Sequence, residues 1–244
     1  MFDTICDTVP GDGAMPPRVR RLEILRRVLD GSIYNGLPYE FHQERNSAGE
    51  YVPLKLRKPS VRYGLCRIVV EDSVALLFSN AHFPTVESAD PEMCRVLADI
   101  ISETRMNEVM IDAAIRGSVG SVAILIRILN GRIFLSVLDS LYLTPQWDTQ
   151  APDTLKYVKE IYQVSGEALL TQGYAGVEAG VTYWFRRDWD VASETWYIPW
   201  PVNDPLAVPK IDTVRSMGHG LGFVPIVWIR NLPGGDGIDG GLVR

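Results

Sequence analysis

An α+β fold, helices first and a mainly antiparallel β region after them, is what this 244-residue sequence predicts, on three observations. Apolar residues recur at helical spacing as far as Gly117. After Gly120 the pattern changes to short runs rich in β-branched residues, Val122 to Ile128 and Ile133 to Val137. Between the two runs stands Asn130-Gly131, a dipeptide suited to a tight hairpin because a primed turn needs positive φ at both central positions. Helices and strands that segregate along the chain argue against a βαβ nucleotide-binding sheet.

The elements divide the chain into four parts. Residues 1–16, with Pro10, Gly11, Gly13 and Pro16 and little periodicity, read as a flexible N-terminal arm. Residues 17–118 form the helical part. Its first helix begins near Pro17, places Leu22, Leu25, Val28 and Leu29 on one side, and stops at Gly31. Residues 31–58, with Asn35-Gly36, Pro38, Asn46 and Gly49, read as a long irregular connection. A second helix is expected from Ser60, with Val61, Leu65, Ile68, Val69 and Leu76 as its buried stripe. Asp90 caps a third helix with Pro91 at its first position, followed by Met93, Val96, Leu97, Ile100 and Ile101 at core spacing. Met106, Val109, Met110, Ala113 and Ala114 repeat the pattern in a fourth. Residues 119–231 form the antiparallel β part, with further strands expected at 141–147, 155–164, 181–187, 194–200 and 223–229. Residues 232–244 read as a Gly/Asp-rich hinge.

Composition narrows the function classes. No window approaches the roughly 18 uninterrupted apolar residues of a membrane span, and no targeting signal opens the chain, so a cytosolic product is expected. Cys6, Cys66 and Cys94 are an odd number without CxxC spacing, which argues for reduced, mostly buried thiols. The net charge of −6 is uneven: residues 1–70 carry 11 Lys/Arg against 8 Asp/Glu, and residues 71–244 carry 13 against 22. The basic share concentrates in Arg18, Arg20, Arg21, Arg26 and Arg27, a stripe that reads as a solvated helix face or as a contact for phosphate or an acidic partner. The chain as a whole is too acidic for a dedicated DNA binder.

Motifs with chemistry are scarce. His42, His82 and His219 are scattered, without a second ligand at helical spacing, so no metal is expected. Gly117 to Ser121 lacks the Lys-Ser/Thr of a phosphate loop and reads as a helix-to-strand turn. Gly234 to Asp239 matches the opening of a calcium-binding nonapeptide, but only once, where stacked repeats are required. No nucleophile elbow or kinase signature is present. Neither an enzyme nor a cofactor is expected. The stretch from Tyr183 to Trp200 gathers Trp184, Phe185, Trp189, Trp196, Tyr197 and Trp200. Such aromatics on strands fill a core, anchor a protein interface, or stack sugars or bases.

The segment His219-Gly220-Leu221-Gly222-Phe223-Val224-Pro225-Ile226-Val227-Trp228-Ile229-Arg230-Asn231 resembles a recurrent stretch of the portal (head-to-tail connector) proteins of tailed bacteriophages. There a hydrophobic-Gly-x-hydrophobic-Pro strand ends in Asn and leads through a Gly/acidic loop, here Gly234 to Gly241, toward a stem helix. The Arg-rich first helix ending Leu29-Asp30-Gly31-Ser32-Ile33-Tyr34, the Asn130-Gly131 hairpin and the strand Tyr157 to Tyr162 agree in order, so the resemblance spans residues 18–241. It implies a portal wing, with stem, clip and crown beyond Arg244, and hence a truncated chain. It further implies a virion protein, assembled in the host cytoplasm as a homo-oligomeric ring of twelve copies. Its partners would be capsid or scaffold, the packaging terminase and head-tail adaptor proteins, with DNA held only transiently and without sequence preference. Arg20, Arg21, Arg26, Arg27, Trp184, Trp189, Trp196 and Trp200 are the candidate subunit or partner contacts. A carbohydrate- or polymer-binding β-rich module is the alternative, motivated by the Trp/Tyr strands. A hydrolase using Asp188 and Asp190 comes third, since neighbours on one strand give no sign of split acid and base roles.

Overall fold

The computed structural model describes residues 17–33, 45–46, 48–56, 64–78, 83–204 and 206–230. The fold is α+β, with helices preceding two antiparallel sheets. The helices are α1 (Pro17–Asp30), α2 (Leu65–Phe78), α3 (Pro91–Glu103), α4 (Met106–Gly117) and a short α5 (Gly166–Thr171). A small sheet pairs β10 (Ile226–Ile229), β1 (Val122–Leu129) and β2 (Arg132–Leu138) in that order. A larger sheet runs β3 (Leu143–Trp147), β4 (Leu155–Ser165), β5 (Thr182–Trp189), β6 (Ser193–Ile198) and β8 (Lys210–Ile211). Two short strands join it, β7 (Trp200–Pro201) on β5 and β9 (Met217–Gly218) on β6.

Three layers result. In β1 both faces are apolar, and the structure uses both: Val122 and Ile124 pack under Ala113, Val109 and Met110 of α4, whereas Ala123 and Leu125 face the larger sheet. The first half of this strand, covered on two sides, has no solvated face and so reads as a continuous apolar run, while Ile128 and Leu129 at its far end are exposed. The core between the sheets joins Ala123, Leu125 and Leu138 to Leu143, Val158 and Trp189, the last wholly buried. Beyond the small sheet, the inner face of the larger one is covered by Leu169 of α5 and by Tyr174, against Tyr183 and Phe185.

Local signals act as expected at several points. Asn130 and Gly131 turn the β1–β2 hairpin at φ 52° and 76°. Gly31, at φ 71°, ends α1. The Asp90 carboxylate accepts the amide of Glu92 at 2.9 Å, capping α3. Residues 118–121 are the helix-to-strand turn between α4 and β1. α5 has no counterpart among the elements expected from the sequence. Ser165 caps it, and Gly166 lets its backbone meet the carbonyl of Glu178, which a Cβ would approach to 1.9 Å.

Other expectations need correction. The described part of the second helix begins at Leu65, and Ser60 and Val61 lie outside the described residues. Its stripe is not buried: Leu65, Ile68, Val69 and Leu76 are all more than half exposed, while Val74 is the residue turned into the fold. On α3 the residues at core spacing are likewise not core, for no residue of that helix is buried and Met93 and Val96 are exposed. The spacing reveals an amphipathic helix without naming what covers its apolar side. Cys66 is exposed on α2, contrary to the buried thiol expected, and Cys94 is half-buried, its Sγ donating to the Ser88 carbonyl at 3.3 Å. The arm 1–16, Cys6, His42, His82 and the hinge 232–244 lie outside the described residues, as does half of the connection 31–58.

Candidate functional site

Strand alternation sorts the aromatic segment onto two faces. On β5, Tyr183, Phe185, Arg187 and Trp189 point inward, and Trp184, Arg186 and Asp188 point outward. The register carries the division across the sheet, because Trp196 stands opposite Arg187 and Trp200 opposite Trp184.

The inner face is a core with charges built into it. Arg187 Nε donates to Glu160 Oε2 at 2.6 Å, and these two residues are direct cross-strand partners. The Arg187 guanidinium also lies over the rings of Trp196 (4.9 Å), Trp189 (5.0 Å) and Phe185 (5.5 Å). Arg127 of β1 reaches across the layers to pair with Glu194 of β6, so one ion pair ties the two sheets together. Phe185 packs on Tyr162 at 4.9 Å and edge-on to Trp196 at 5.8 Å. Trp189, expected as a contact, is corrected to core: a ring with no exposed surface touches no partner. Trp196 is half-buried on the same side. The paired charges were missed by sequence reasoning, although Glu160 between Val158 and Tyr162 at spacing two was a signal that an inward position carries a carboxylate.

The outer face carries half-buried aromatics around one fixed cation. Trp184 and Trp200 are direct neighbours across β5 and β7. Beside them the guanidinium of Arg186 sits 4.2 Å from the ring centre of Tyr197, donates to both oxygens of Asp188, and reaches the Tyr157 hydroxyl at 3.3 Å. The Asp188 bond is the main reason the Arg186 guanidinium holds its proton even more firmly than usual. Burial, with Asp188 alongside, pushes the Tyr157 phenol up to about 12. The same two causes raise Tyr197.

Asp188 and Asp190 do not form a catalytic couple. Asp188 is buried against Arg186. Asp190 lies past the end of β5 in the turn to β6, where it accepts the amides of Ala192 (2.7 Å) and Ser193 (2.6 Å) and the Ser193 hydroxyl (3.1 Å). Burial opposes its ionisation, but those donors outweigh it and hold the carboxyl below the usual range. His219 serves the same turn: Nε2 lies 3.0 Å from the Asp190 carbonyl, and Nδ1 accepts the Leu221 amide at 3.3 Å. Both ring nitrogens are thereby engaged. Among the described residues, no group of three or more His, Cys, Asp or Glu gathers to hold a metal, and no helix is long and apolar enough to cross a membrane.

The arginines of α1 divide in the same way. Arg18 donates to the carbonyls of Ser140 (3.0 Å) and Leu143 (3.2 Å), anchoring the helix to the start of the β part. Arg26 pairs with Asp139 at 3.1 Å and Arg27 with Glu23 at 2.8 Å, so the fold itself engages two of the expected contacts. Arg21 is exposed and Arg20 half-buried. No protein-family model matches the chain, and no curated protein matches it either.

Proposed function

We propose that the chain is the wing of a portal-type connector: a structural, non-catalytic part of a homo-oligomeric ring in a phage virion, through which genomic DNA is packaged and ejected. The observation that carries this reading is the apolar stripe of α2. Leu65, Ile68, Val69 and Leu76 follow one another at helical spacing and stand in solvent, on a helix that packs against α1 and α4. Contiguous exposed apolar surface of this kind marks contact with another protein. Support also comes from the order of elements and from the segment 219–230, which ends in a strand, β10, as the resemblance implies. In this reading capsid, terminase and adaptor proteins meet the outer surfaces, and the acidic balance keeps double-stranded DNA from being held tightly. Negative-stain microscopy of the purified protein is the test. Annular particles are expected, and a uniform population of monomers at high concentration overturns the reading.

A second reading has its own observation. Trp184 and Trp200 lie side by side on the outer face next to Arg186, an arrangement on which a sugar ring can stack. A glycan array decides it: a carbohydrate- or polymer-binding module retains one class of glycan and loses it on Trp184→Ala, whereas a portal wing binds none.

A further inference from the structure

β1 pairs with β2 to its end at Leu129, but with β10 only as far as Leu125. Pro225 is the reason. The Ile126 N–H donates to the Pro225 carbonyl at 2.8 Å, and no bond returns to the Ile126 carbonyl because a proline nitrogen carries no hydrogen. Next to it the backbone bends away from β1: the Ile226 N–H folds back onto the Val224 carbonyl at 2.7 Å, and Gly222 sits at φ 74°. Successive residues of an antiparallel strand direct their backbone groups to opposite sides. Since Ile126 donates toward β10, Arg127 bonds toward β2 and Ile128 is turned the other way. The Ile126 carbonyl and both backbone groups of Ile128 therefore lie along an open side, and among the described residues nothing pairs with them.

The same stretch of β1 is one wall of a cleft of about 450 Å³, within the roughly 300–1,000 Å³ of ligand sites. Trp196, Met217 and Leu221 stand across it. Its charges are already satisfied, Arg127 by Glu194 and Arg215 by Asp212. Open strand edges in folded proteins are guarded by a free charge, a proline or a bulge. Here the edge carries Ile126, Ile128 and Leu129, and its one charged residue is held in an ion pair.

We infer that this half-open edge receives an extended segment of another protein, which adds as a strand beside β1 in the line that β10 leaves at Pro225. The unpaired backbone sets the shape of the occupant, because an extended chain presents free N–H and carbonyl groups to an edge, whereas a helix has bonded its own. The walls set its side chains: apolar at the positions facing Trp196 and Met217, uncharged and without proline throughout. The edge is open within a single chain, so its use neither requires nor excludes a ring.

Fluorescence anisotropy tests this with a labelled, end-capped peptide of alternating valine and threonine, roughly six residues long as strands commonly are. Saturable binding is expected, with NMR amide shifts at Arg127, Ile128 and Met217. The same peptide methylated at every backbone nitrogen keeps its side chains but loses its donors, and should bind at least about tenfold more weakly. Ile128→Pro removes an N–H that no ladder bond uses, so the fold should persist by circular dichroism while binding falls about tenfold. Ile128→Val keeps that N–H and should bind within about twofold of the wild type. Should the proline variant unfold, the methylated peptide decides alone. Absence of binding to the wild type, equal binding of the methylated peptide, or amide shifts confined to the outer side of β2 overturns the inference. So does self-association of the wild type that Ile128→Pro abolishes, since the edge then belongs to a second copy.

Discussion

Glu160 on β4 and Arg187 on β5 are direct partners in the antiparallel register, and their side chains form an ion pair at 2.6 Å while only 7% and 12% exposed. The pair lies between Trp189 and Phe185, on the face that packs against the rest of the molecule. Removing one member leaves the other charge buried and uncompensated. Glu160→Leu alone is therefore expected to cost about 3–5 kcal/mol, whereas Glu160→Leu with Arg187→Met should be close to neutral. Denaturant unfolding of the single and double variants measures the coupling, and additive losses would show that the pair does not act as a unit.

The two faces of β5 should respond unequally to the same substitution. Trp189→Ala removes a wholly buried ring and is expected to cost about 3–5 kcal/mol. Trp184→Ala removes a half-buried ring whose cross-strand neighbour is Trp200, a contact of about 1 kcal/mol or less. Thermal melts of the two variants should differ clearly, and equal losses would mean that the alternation has been assigned to the wrong faces.

Gly166 has no room for a side chain, because a Cβ would come within 1.9 Å of the Glu178 carbonyl. Gly166→Ala is expected to destabilise by about 3 kcal/mol, since backbone must shift to relieve the overlap. Gly180, with nothing within 4 Å of an added Cβ, serves as the control. Chemical denaturation of Gly180→Ala should change stability by less than about 0.5 kcal/mol.

Tyr157 should titrate late. Its phenol is raised from 10.0 to about 12 by burial and by Asp188, so the folded state favours the neutral form. That contribution to stability is complete below about pH 10, where the unfolded phenol begins to ionise, and is lost as pH rises through about 12. Burial raises Tyr162 to about 12 as well. In a tyrosinate absorbance titration, Tyr157→Phe should remove one of the latest steps. If an early step disappears instead, the hydroxyl is not enclosed as described.

The elements were legible wherever the physics is local. The change of period near residue 120, the cap at Asp90 and the turn at Asn130-Gly131 depend on a few consecutive residues, and each appears in the structure. Strands expected at 155–164 and 181–187 are found as β4 and β5, one and two residues longer at their C-terminal ends and β5 starting one residue later. The expectation over 223–229 shrank to Ile226–Ile229, because the residues before it form bends rather than ladder. α5 is not legible in the sequence, because six residues give too short a periodicity to separate from a loop.

The candidate contacts show why the remainder was not legible. Trp184 and Trp189 look alike in sequence, yet one is half-buried on the outer face and the other fully enclosed. The parity of the strand separates them, but which parity faces the core depends on the small sheet laid across β4 and β5. Arg21 and Arg26 share a helix, and Arg26 is engaged only because Asp139, far along the chain, arrives beside it. Short-range spacing was enough to establish the class of fold, the hairpin and the boundaries of α1, α3 and α4, since those follow from dihedral preferences and amphipathic period. The side of each element that meets protein or solvent came from long-range packing, because burial is a property of neighbours and not of the residue itself.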